Sequence, residues 1–147
     1  MGGTMDDSFV SRNQLRLTCK GAHVVVHAAE KHAAAMSVPQ CIAVVDPGGH
    51  LLAFSRMDGA RIGSIEIALT KARTAATRLQ RSGDVGGTSD SGKVSIALAS
   101  QLNLTGMAGG IPIVVEGQVL GAVGVSSGKA EQDVEVGEAG IAALLDG

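Results

Sequence analysis

The sequence predicts a single α+β domain in which helices flank a central antiparallel sheet. Two pairs of short apolar runs, each pair joined by a glycine-containing turn, predict two β-hairpins. Apolar residues at three- and four-residue spacing predict helices before, between and after the hairpins. The length of 147 residues suits one hydrophobic core. The predicted order is α-β-β-α-(α)-β-β-α, with helices gathered on one face of the sheet in a two-layer domain.

The first half of the chain predicts a long helix, a hairpin and a second helix. Apolar side chains between residues 15 and 36 fall on one arc, and Pro39 then ends the helical pattern. The runs CIAVVD and HLLAFSRM, joined by PGG, predict the first hairpin. Ser64 is a candidate N-cap for the helix IEIALTKARTAATRLQR, and Glu66 lies in its first turn, where the helix dipole favours an acid.

The second half predicts a loop, a short helix, a second hairpin and a final helix. The segment 82–93, SGDVGGTSDSGK, is rich in glycine and serine and predicts a surface loop that could serve as a lid. VSIALASQLN predicts the short helix, IPIVVEGQVLGAVGVSSG the hairpin and AEQDVEVGEAGIAALL the last helix. We expect residues 1–14 to form a flexible N-terminal segment and residues 15–147 to form the domain.

The composition excludes several classes of partner. The net charge is −2, the basic residues are scattered and aromatic residues make up 1%, so the chain lacks both a phosphate-binding stripe and base-stacking platforms. We therefore predict no nucleic-acid partner. No stretch approaches the roughly 20 apolar residues of a membrane span, and no apolar signal core is present, which predicts a cytoplasmic protein without a membrane partner. The two cysteines lack CxxC spacing and are predicted to be free thiols.

Two long stretches resemble a known family. CIAVVDPGGHLLAFSRMDGARIGSIEIALTKARTAA and GGIPIVVEGQVLGAVGVSSGKAEQDVEVGEAGIAAL are similar, in order and spacing, to the GlcG/HbpS-like family. This family is also called the haem-degrading-domain family and occurs at the C-terminus of some corrinoid adenosyltransferases. The resemblance implies a profilin-like domain that commonly forms homo-oligomers. Some relatives bind haem, and others are small-molecule enzymes, including a lyase acting on hydroxylaminobenzoate.

Two hypotheses for the function remain open. The first is a haem- or small-ligand-binding protein of this family, with haem as its cofactor. The alternative is a cofactor-free lyase or isomerase that acts by acid/base chemistry on a carboxylate-bearing, hydroxylaminobenzoate-like aromatic substrate. Both hypotheses make a small molecule the main partner.

The ends of the two predicted hairpins form the first candidate site. Each hairpin leads into a helix N-terminus, where free N–H groups and the helix dipole attract an anion. The candidate catalytic residues are Arg56, Asp58, Lys71 and Asp133, and the candidate ligand-binding residues are Gly59, Gly110, Ser126, Ser127 and Gly128. In this hypothesis Arg56 holds a carboxylate by two hydrogen bonds. The alternative is that Arg56 and Asp58 only pair with each other across a turn.

The first helix carries the second candidate site. His23 and His27 are four residues apart, so both imidazoles project from one side of the helix, as ligands of haem or a metal would. Both also lie outside the centre of the apolar arc, which leaves open the alternative of solvated histidines without a ligand. His32 and His50 are less favoured, and His50 is expected to be a polar residue at the end of a strand.

Overall fold

The structure is a computed structural model that describes residues 2–86 and 95–147. Two short 3₁₀ turns, Asp7–Phe9 and Ser82–Asp84, accompany the regular elements. In chain order the described helices and strands are α1 (Cys19–Ala35), β1 (Cys41–Val45), β2 (Leu51–Arg56), α2 (Ser64–Arg78), α3 (Ile96–Gln101), β3 (Gly110–Val115), β4 (Gln118–Ser126) and α4 (Ala130–Leu145). The predicted order of elements is confirmed, including the short third helix.

The four strands form one antiparallel sheet in the order β2-β1-β4-β3. β1 and β4 are the central pair, so the two hairpins meet along their inner strands. Cys41, the first residue of β1, lies opposite Arg56 on one side and Ser126 on the other. This register brings the ends of both hairpins to the same edge of the domain, as the sequence predicted.

The helices cover both faces of the sheet instead of gathering on one. Ile42 and Val44 pack in a cluster with α1 and α4, whereas Cys41, Ala43 and Val45 pack in a second cluster with α2. Every residue of β1 is therefore buried. A run that is apolar at each position is typical of a strand covered on both sides, and this explains why the helices divide into two layers.

Glycines allow α2 to lie directly on the backbone of the sheet. A Cβ atom on Gly124 would overlap the carbonyl oxygen of Ala68, and a Cβ atom on Gly110 would overlap the carbonyl oxygen of Lys71. Glycine allows two backbones to approach this closely because it has no side chain. The two contacts fix the height and rotation of α2 above β3 and β4, and with them the position of Lys71.

The first helix begins later than its apolar spacing predicts. Thr18 is the N-cap, and its Oγ1 accepts the Gly21 N–H at 3.0 Å. The residues before it are extended along the start of β4: the Leu17 N–H donates to the Leu120 carbonyl at 3.1 Å, and the Leu15 N–H donates to Gln118 Oε1 at 2.8 Å. The helix start predicted at residue 15 is wrong, because these donors pair with the beginning of β4 beyond the end of β1.

The segment 82–93 lies partly outside the described residues. In its described part, Ser82 and Val85 are fully buried. Ser82 Oγ donates to the Met107 carbonyl at 2.6 Å and accepts the Gly110 N–H at 2.8 Å. The start of this segment is therefore anchored in the protein through Ser82 and Val85, while Gly83 and Asp84 are exposed, and the rest of the predicted loop lies outside the described residues.

Two further expectations concern membrane-spanning helices and the cysteines. Among the described helices, none has the length and apolar character needed to cross a membrane. Cys19 is exposed and Cys41 is buried, and both are free thiols, as predicted.

Candidate functional site

A cleft of about 460 Å³ lies between the N-terminal ends of α2 and α4. Both helices follow directly from the hairpin ends that the β1–β4 register brings together. Its polar lining residues are Arg61, Ser64, Lys71, Ser126, Gly128 and Asp133. Gly63 and the apolar side chains of Ile67 and Met107 complete the lining. The cleft is therefore polar at the two helix starts and apolar along part of its wall.

A buried ion pair forms the floor of the cleft. Lys71 Nζ lies 3.0 Å from Asp133 Oδ2, and the side chains of the two residues are only 2% and 4% exposed. The ammonium also donates to the Val125 carbonyl at 2.8 Å, and Asp133 Oδ1 accepts the Gly128 N–H at 3.0 Å. An ammonium has three donors, and these bonds use two of them. Within the described residues the third donor of Lys71 has no acceptor, and the side chain lines the cleft.

The Gly109–Gly110 pair makes room for this lysine. A Cβ atom on Gly109 would stand 2.9 Å from Lys71 Nζ and 2.5 Å from the Val125 carbonyl oxygen, and its φ of +127° also favours glycine. Gly110 lies against the backbone of the same lysine. The paired glycines at the start of β3 therefore permit the lysine side chain to run beneath the strand towards Asp133.

Gln40 is a buried polar residue beside the cleft. It is 0% exposed, and neither its Nε2 nor its Oε1 has a hydrogen-bond partner within the described residues. A Cβ atom on Gly128 would stand 2.7 Å from Gln40 Nε2 and 2.9 Å from Asp133 Oδ1, so the amide and the carboxylate both pack closely against this glycine. Buried amides are nearly always hydrogen-bonded in proteins, which makes this side chain exceptional.

Arg61 stands at the mouth of the cleft. It is exposed, and its guanidinium makes neither a hydrogen bond nor an ion pair within residues 2–86 and 95–147. Its backbone N–H donates to Ser127 Oγ at 3.1 Å. Ser127 has a φ of 106°, a backbone conformation that costs a non-glycine residue about 1–3 kcal/mol. This strained turn ties the start of α4 to the segment that carries Arg61.

The thiol of Cys41 lies behind that segment. Its Sγ donates to the Arg61 carbonyl at 3.8 Å. Burial raises the pKa of Cys41, and the positive charge of Arg56 opposes this shift to a smaller extent. A buried thiol with a raised pKa remains protonated at neutral pH, so Cys41 serves as a packing residue here and not as a nucleophile.

The structure brings only part of the predicted site together. Among the predicted residues, those that line the cleft are Lys71, Ser126, Gly128 and Asp133. Ser127 borders it through its bond to Arg61. The others lie outside the lining: Arg56, Asp58 and Gly59 are exposed at the end of β2, and Gly110 is buried under α2. Arg56 and Asp58 form no ion pair with each other among the described contacts.

Several cleft residues were absent from the sequence prediction. Arg61 and Ser64 follow Arg56 closely in the chain, where the chain reverses between β2 and α2. The sequence does not predict which side chains of this segment face the cleft. Gln40 carried a usable signal, because it is a polar residue placed directly before the apolar run of β1. Ile67 and Met107 carried none beyond their apolar character.

The α1 histidines form a separate group. His23 and His27 are exposed, their ring centroids lie 5.9 Å apart, and neither lines the cleft. His23 Nδ1 lies 2.9 Å from the Cys19 carbonyl oxygen, which fits a tautomer with the proton on Nδ1 and a free Nε2. His32 instead pairs with Glu135 at 2.7 Å. No cluster of three or more metal-ligating side chains is found among the described residues.

Known proteins place this arrangement in a family. The family model described as "Haem degrading protein HbpS-like" matches residues 17–142. Protein GlcG of Escherichia coli strain K12 is 36% identical over 115 residues, which cover 78% of this chain and 84% of GlcG. A 15.0 kDa protein of Citrobacter freundii is 36% identical over 119 residues, which cover 80% of this chain and 84% of that protein.

Solved structures share the fold as well. The crystal structure of Klebsiella pneumoniae protein ORFY has a TM-score of 0.84 and 30% identity and covers 97% of this chain and 98% of its own. The crystal structure of a PduOC:haem complex has a TM-score of 0.78 and 29% identity, with coverages of 88% and 95%. The resemblance to GlcG/HbpS-like proteins is thereby confirmed, and this chain belongs to the HbpS-like family.

Proposed function

We propose that this protein binds a small carboxylate-bearing molecule in the cleft between α2 and α4. The observation that carries the proposal is the guanidinium of Arg61, which lines the mouth without an anionic partner among the described residues. With Arg61, Lys71 and Asp133 the lining has two cations and one carboxylate, so it has one positive charge to spare. A guanidinium can hold a carboxylate by two parallel hydrogen bonds.

The size and wall of the cleft support a ligand of about the size of benzoate. Its volume of about 460 Å³ lies within the range of roughly 300–1,000 Å³ that is usual for small-molecule sites. Ile67 and Met107 offer apolar contact for a ring, while Arg61 and the third donor of Lys71 offer polar contacts at the two ends. The arrangement suits a flat molecule with an anionic group directed to the mouth.

Substitution of Arg61 tests this proposal. Arg61→Ala is expected to weaken the binding of benzoate roughly 10- to 150-fold, since a hydrogen bond to a charged group contributes about 1.5–3 kcal/mol. Arg56→Ala is the matched control, because Arg56 is exposed outside the cleft lining and its loss is expected to leave affinity unchanged. Calorimetric titration measures both variants. Unchanged affinity in Arg61→Ala contradicts the proposal, and a loss confined to Arg56→Ala would transfer the clamp to Arg56.

Haem is the second candidate ligand, and the geometry of His23 favours it. Its Nδ1 is engaged by the Cys19 carbonyl, which leaves Nε2 as an exposed potential axial ligand. The PduOC:haem complex shows that a protein of this fold holds haem. Both α1 rings are exposed, so a haem held there is enclosed only if a second chain covers it. This requirement agrees with the homo-oligomer that the resemblance implies.

Haem titration tests the α1 histidines. We expect the wild type to produce a Soret band and the double variant His23→Ala, His27→Ala to lose it, with sedimentation showing an oligomer in the haem-bound state. His50→Ala is the control, because His50 lies outside α1. It is exposed in the turn between β1 and β2, directly before β2. An unchanged spectrum in the double variant would exclude α1 as the haem site, and a haem-bound monomer would exclude enclosure by a second chain.

The lyase or isomerase alternative remains a prediction. Its structural basis is the Lys71–Asp133 pair, which could relay a proton at the floor of the cleft. The relatives compared above add no support for it.

A further inference from the structure

We propose that the inner end of the cleft is a subsite for a carbonyl group, formed by the Ser126 hydroxyl and the Lys71 ammonium. The ligand class is then an oxo acid, a molecule that carries a ketone or an aldehyde in addition to its carboxylate. This inference rests on the proposed carboxylate site, because it assigns the other end of the same molecule. The body of the ligand can be aliphatic, since the apolar wall consists of Ile67 and Met107.

The first support is a pair of serine residues in the lining of the cleft. Ser64 and Ser126 are only 3% and 4% exposed, and neither Oγ takes part in a hydrogen bond among the described residues. In the same part of the chain, the only unpaired side-chain atoms that are sealed from solvent belong to Gln40, so both serine oxygens are open to the cleft. Buried hydroxyls are normally hydrogen-bonded. These two therefore indicate that a molecule in the cleft supplies their partners.

The second support is the placement of the polar groups along α2. Ser64, Ile67 and Lys71 are three and four residues apart, so they share the face of the helix that lines the cleft. The Ser64 N–H donates to the Arg61 carbonyl at 3.0 Å, which places Ser64 at the mouth with the proposed carboxylate site. Ser126 directly follows the residue whose carbonyl accepts the Lys71 ammonium at 2.8 Å. Ser126 and Lys71 therefore lie together at the inner end, beyond Ile67.

The third support is the balance of donors and acceptors at the inner end. Lys71 has one N–H without an acceptor among the described residues, and Ser126 has one O–H. The neighbouring acceptors are already engaged: the two Asp133 oxygens accept from Lys71 and from the Gly128 N–H. The Lys71 and Asp133 charges cancel, which favours an uncharged group. A carbonyl oxygen fits, because it accepts two hydrogen bonds and brings no donor of its own.

Two other occupants compete with a carbonyl. A hydroxyl group of the ligand could accept the same two bonds, but its own proton would then need an acceptor. A water molecule could bridge Ser126 and Lys71 permanently, and a ligand group that had to displace it would gain no affinity. A hydroxy acid tests the first alternative, and equal affinity for an oxo acid and its unsubstituted parent would indicate the second.

The experiment compares acids that differ only at the oxo group, by calorimetric titration of the wild type. One pair is 4-methyl-2-oxopentanoate and 4-methylpentanoate, and the other is 4-oxopentanoate and pentanoate, which offer the carbonyl at two distances from the carboxylate. We expect one oxo acid to bind about 10- to 150-fold more tightly than its parent, the range for a hydrogen bond to a charged group. The matching 2-hydroxy acid is expected to show a smaller advantage.

Substitution of Ser126 tests the subsite directly. In Ser126→Ala the advantage of the oxo acid over its parent is expected to fall about 2- to 12-fold, the contribution of one neutral hydrogen bond. Ser126→Cys repeats the test with a weaker donor if the alanine variant does not fold. Ser55→Ala on β2 is the matched control, because Ser55 lies outside the cleft lining, and it should preserve the advantage.

The outcomes separate the two proposals. If the parent acids bind with an Arg61-dependent affinity but neither oxo acid has an advantage, the subsite is refuted and the carboxylate site stands. The same conclusion follows if the hydroxy acid gains as much as the oxo acid, or if the advantage is unchanged in Ser126→Ala. If none of these acids binds the wild type, both proposals fail together.

Discussion

Lys71→Met is expected to destabilise the protein by about 3–5 kcal/mol, because it leaves the carboxylate of Asp133 buried without its partner. Asp133→Leu is expected to do the same to the ammonium. The double variant, which replaces both charges by apolar side chains, should recover most of the loss. The attraction within a buried ion pair offsets little more than the cost of removing both charges from water. Urea denaturation of the three variants measures these differences in the free energy of unfolding.

An exposed ion pair on the same protein supplies the control. Arg81 and Glu138 lie 2.9 Å apart, and their side chains are 47% and 51% exposed. Arg81→Met is therefore expected to change stability by no more than about 1 kcal/mol. A loss in Lys71→Met as small as that in Arg81→Met would show that the Lys71–Asp133 pair is not buried as the structure describes.

The double variant also separates stability from binding. If Lys71 and Asp133 only support the fold, the stable double variant should bind benzoate as the wild type does. We expect it to bind benzoate more weakly, because the ammonium and the carboxylate that line the cleft are both gone. The same protein thus tests whether this pair contacts the ligand.

The sequence predicted the parts of the site that depend on local pattern. The apolar runs, the glycine turns and the helical spacing are local properties, so the element order followed from them. Lys71 and Asp133 could be placed because both hairpins lead into helices, and antiparallel pairing of their inner strands brings those helix starts together. The family resemblance supported the same arrangement.

What the sequence did not predict depends on tertiary contacts. Gln40 Nε2 packs against Gly128, which comes far later in the chain. The choice of Arg61 over Arg56 depends on an irregular segment between β2 and α2, where neither strand nor helix periodicity fixes side-chain direction. Leu15 fits the helical spacing of the apolar residues that follow it, but the N–H groups of Leu15 and Leu17 pair with the start of β4 instead.

The sequence of β1 indicates that helices cover both faces of the sheet. CIAVV is apolar at every position, and a strand with one face towards solvent would alternate. Ala68 and Ala72 on α2 and Gly124 on β4 are small, which also indicates two backbones in close contact. Because the two backbones are in close contact at these small residues, there is no room between them for even one added carbon atom.

Gly124→Ala is expected to cost about 3 kcal/mol or more, at the upper end of what overpacking a core costs. The added Cβ would overlap the Ala68 carbonyl oxygen and stand 2.5 Å from the Ala72 nitrogen. Backbone atoms cannot rotate away, so α2 must lift from the sheet. Because α2 carries Lys71, benzoate binding should weaken as well, even where the variant is still folded. Thermal and urea unfolding, followed by titration below the transition, measure both effects.

Two further variants identify the cause. Gly63→Ala is the control, because no described atom outside the adjacent residues lies within 4 Å of a Cβ atom there, and its stability change should stay below about 1 kcal/mol. Ala72→Gly combined with Gly124→Ala removes the Ala72 Cβ atom, 2.9 Å from the added methyl group, but leaves the Ala68 carbonyl in place. We expect this pair to recover little stability, because the obstacle is the backbone of α2. Full recovery would show that the clash is between side chains and that α2 lies farther from β4.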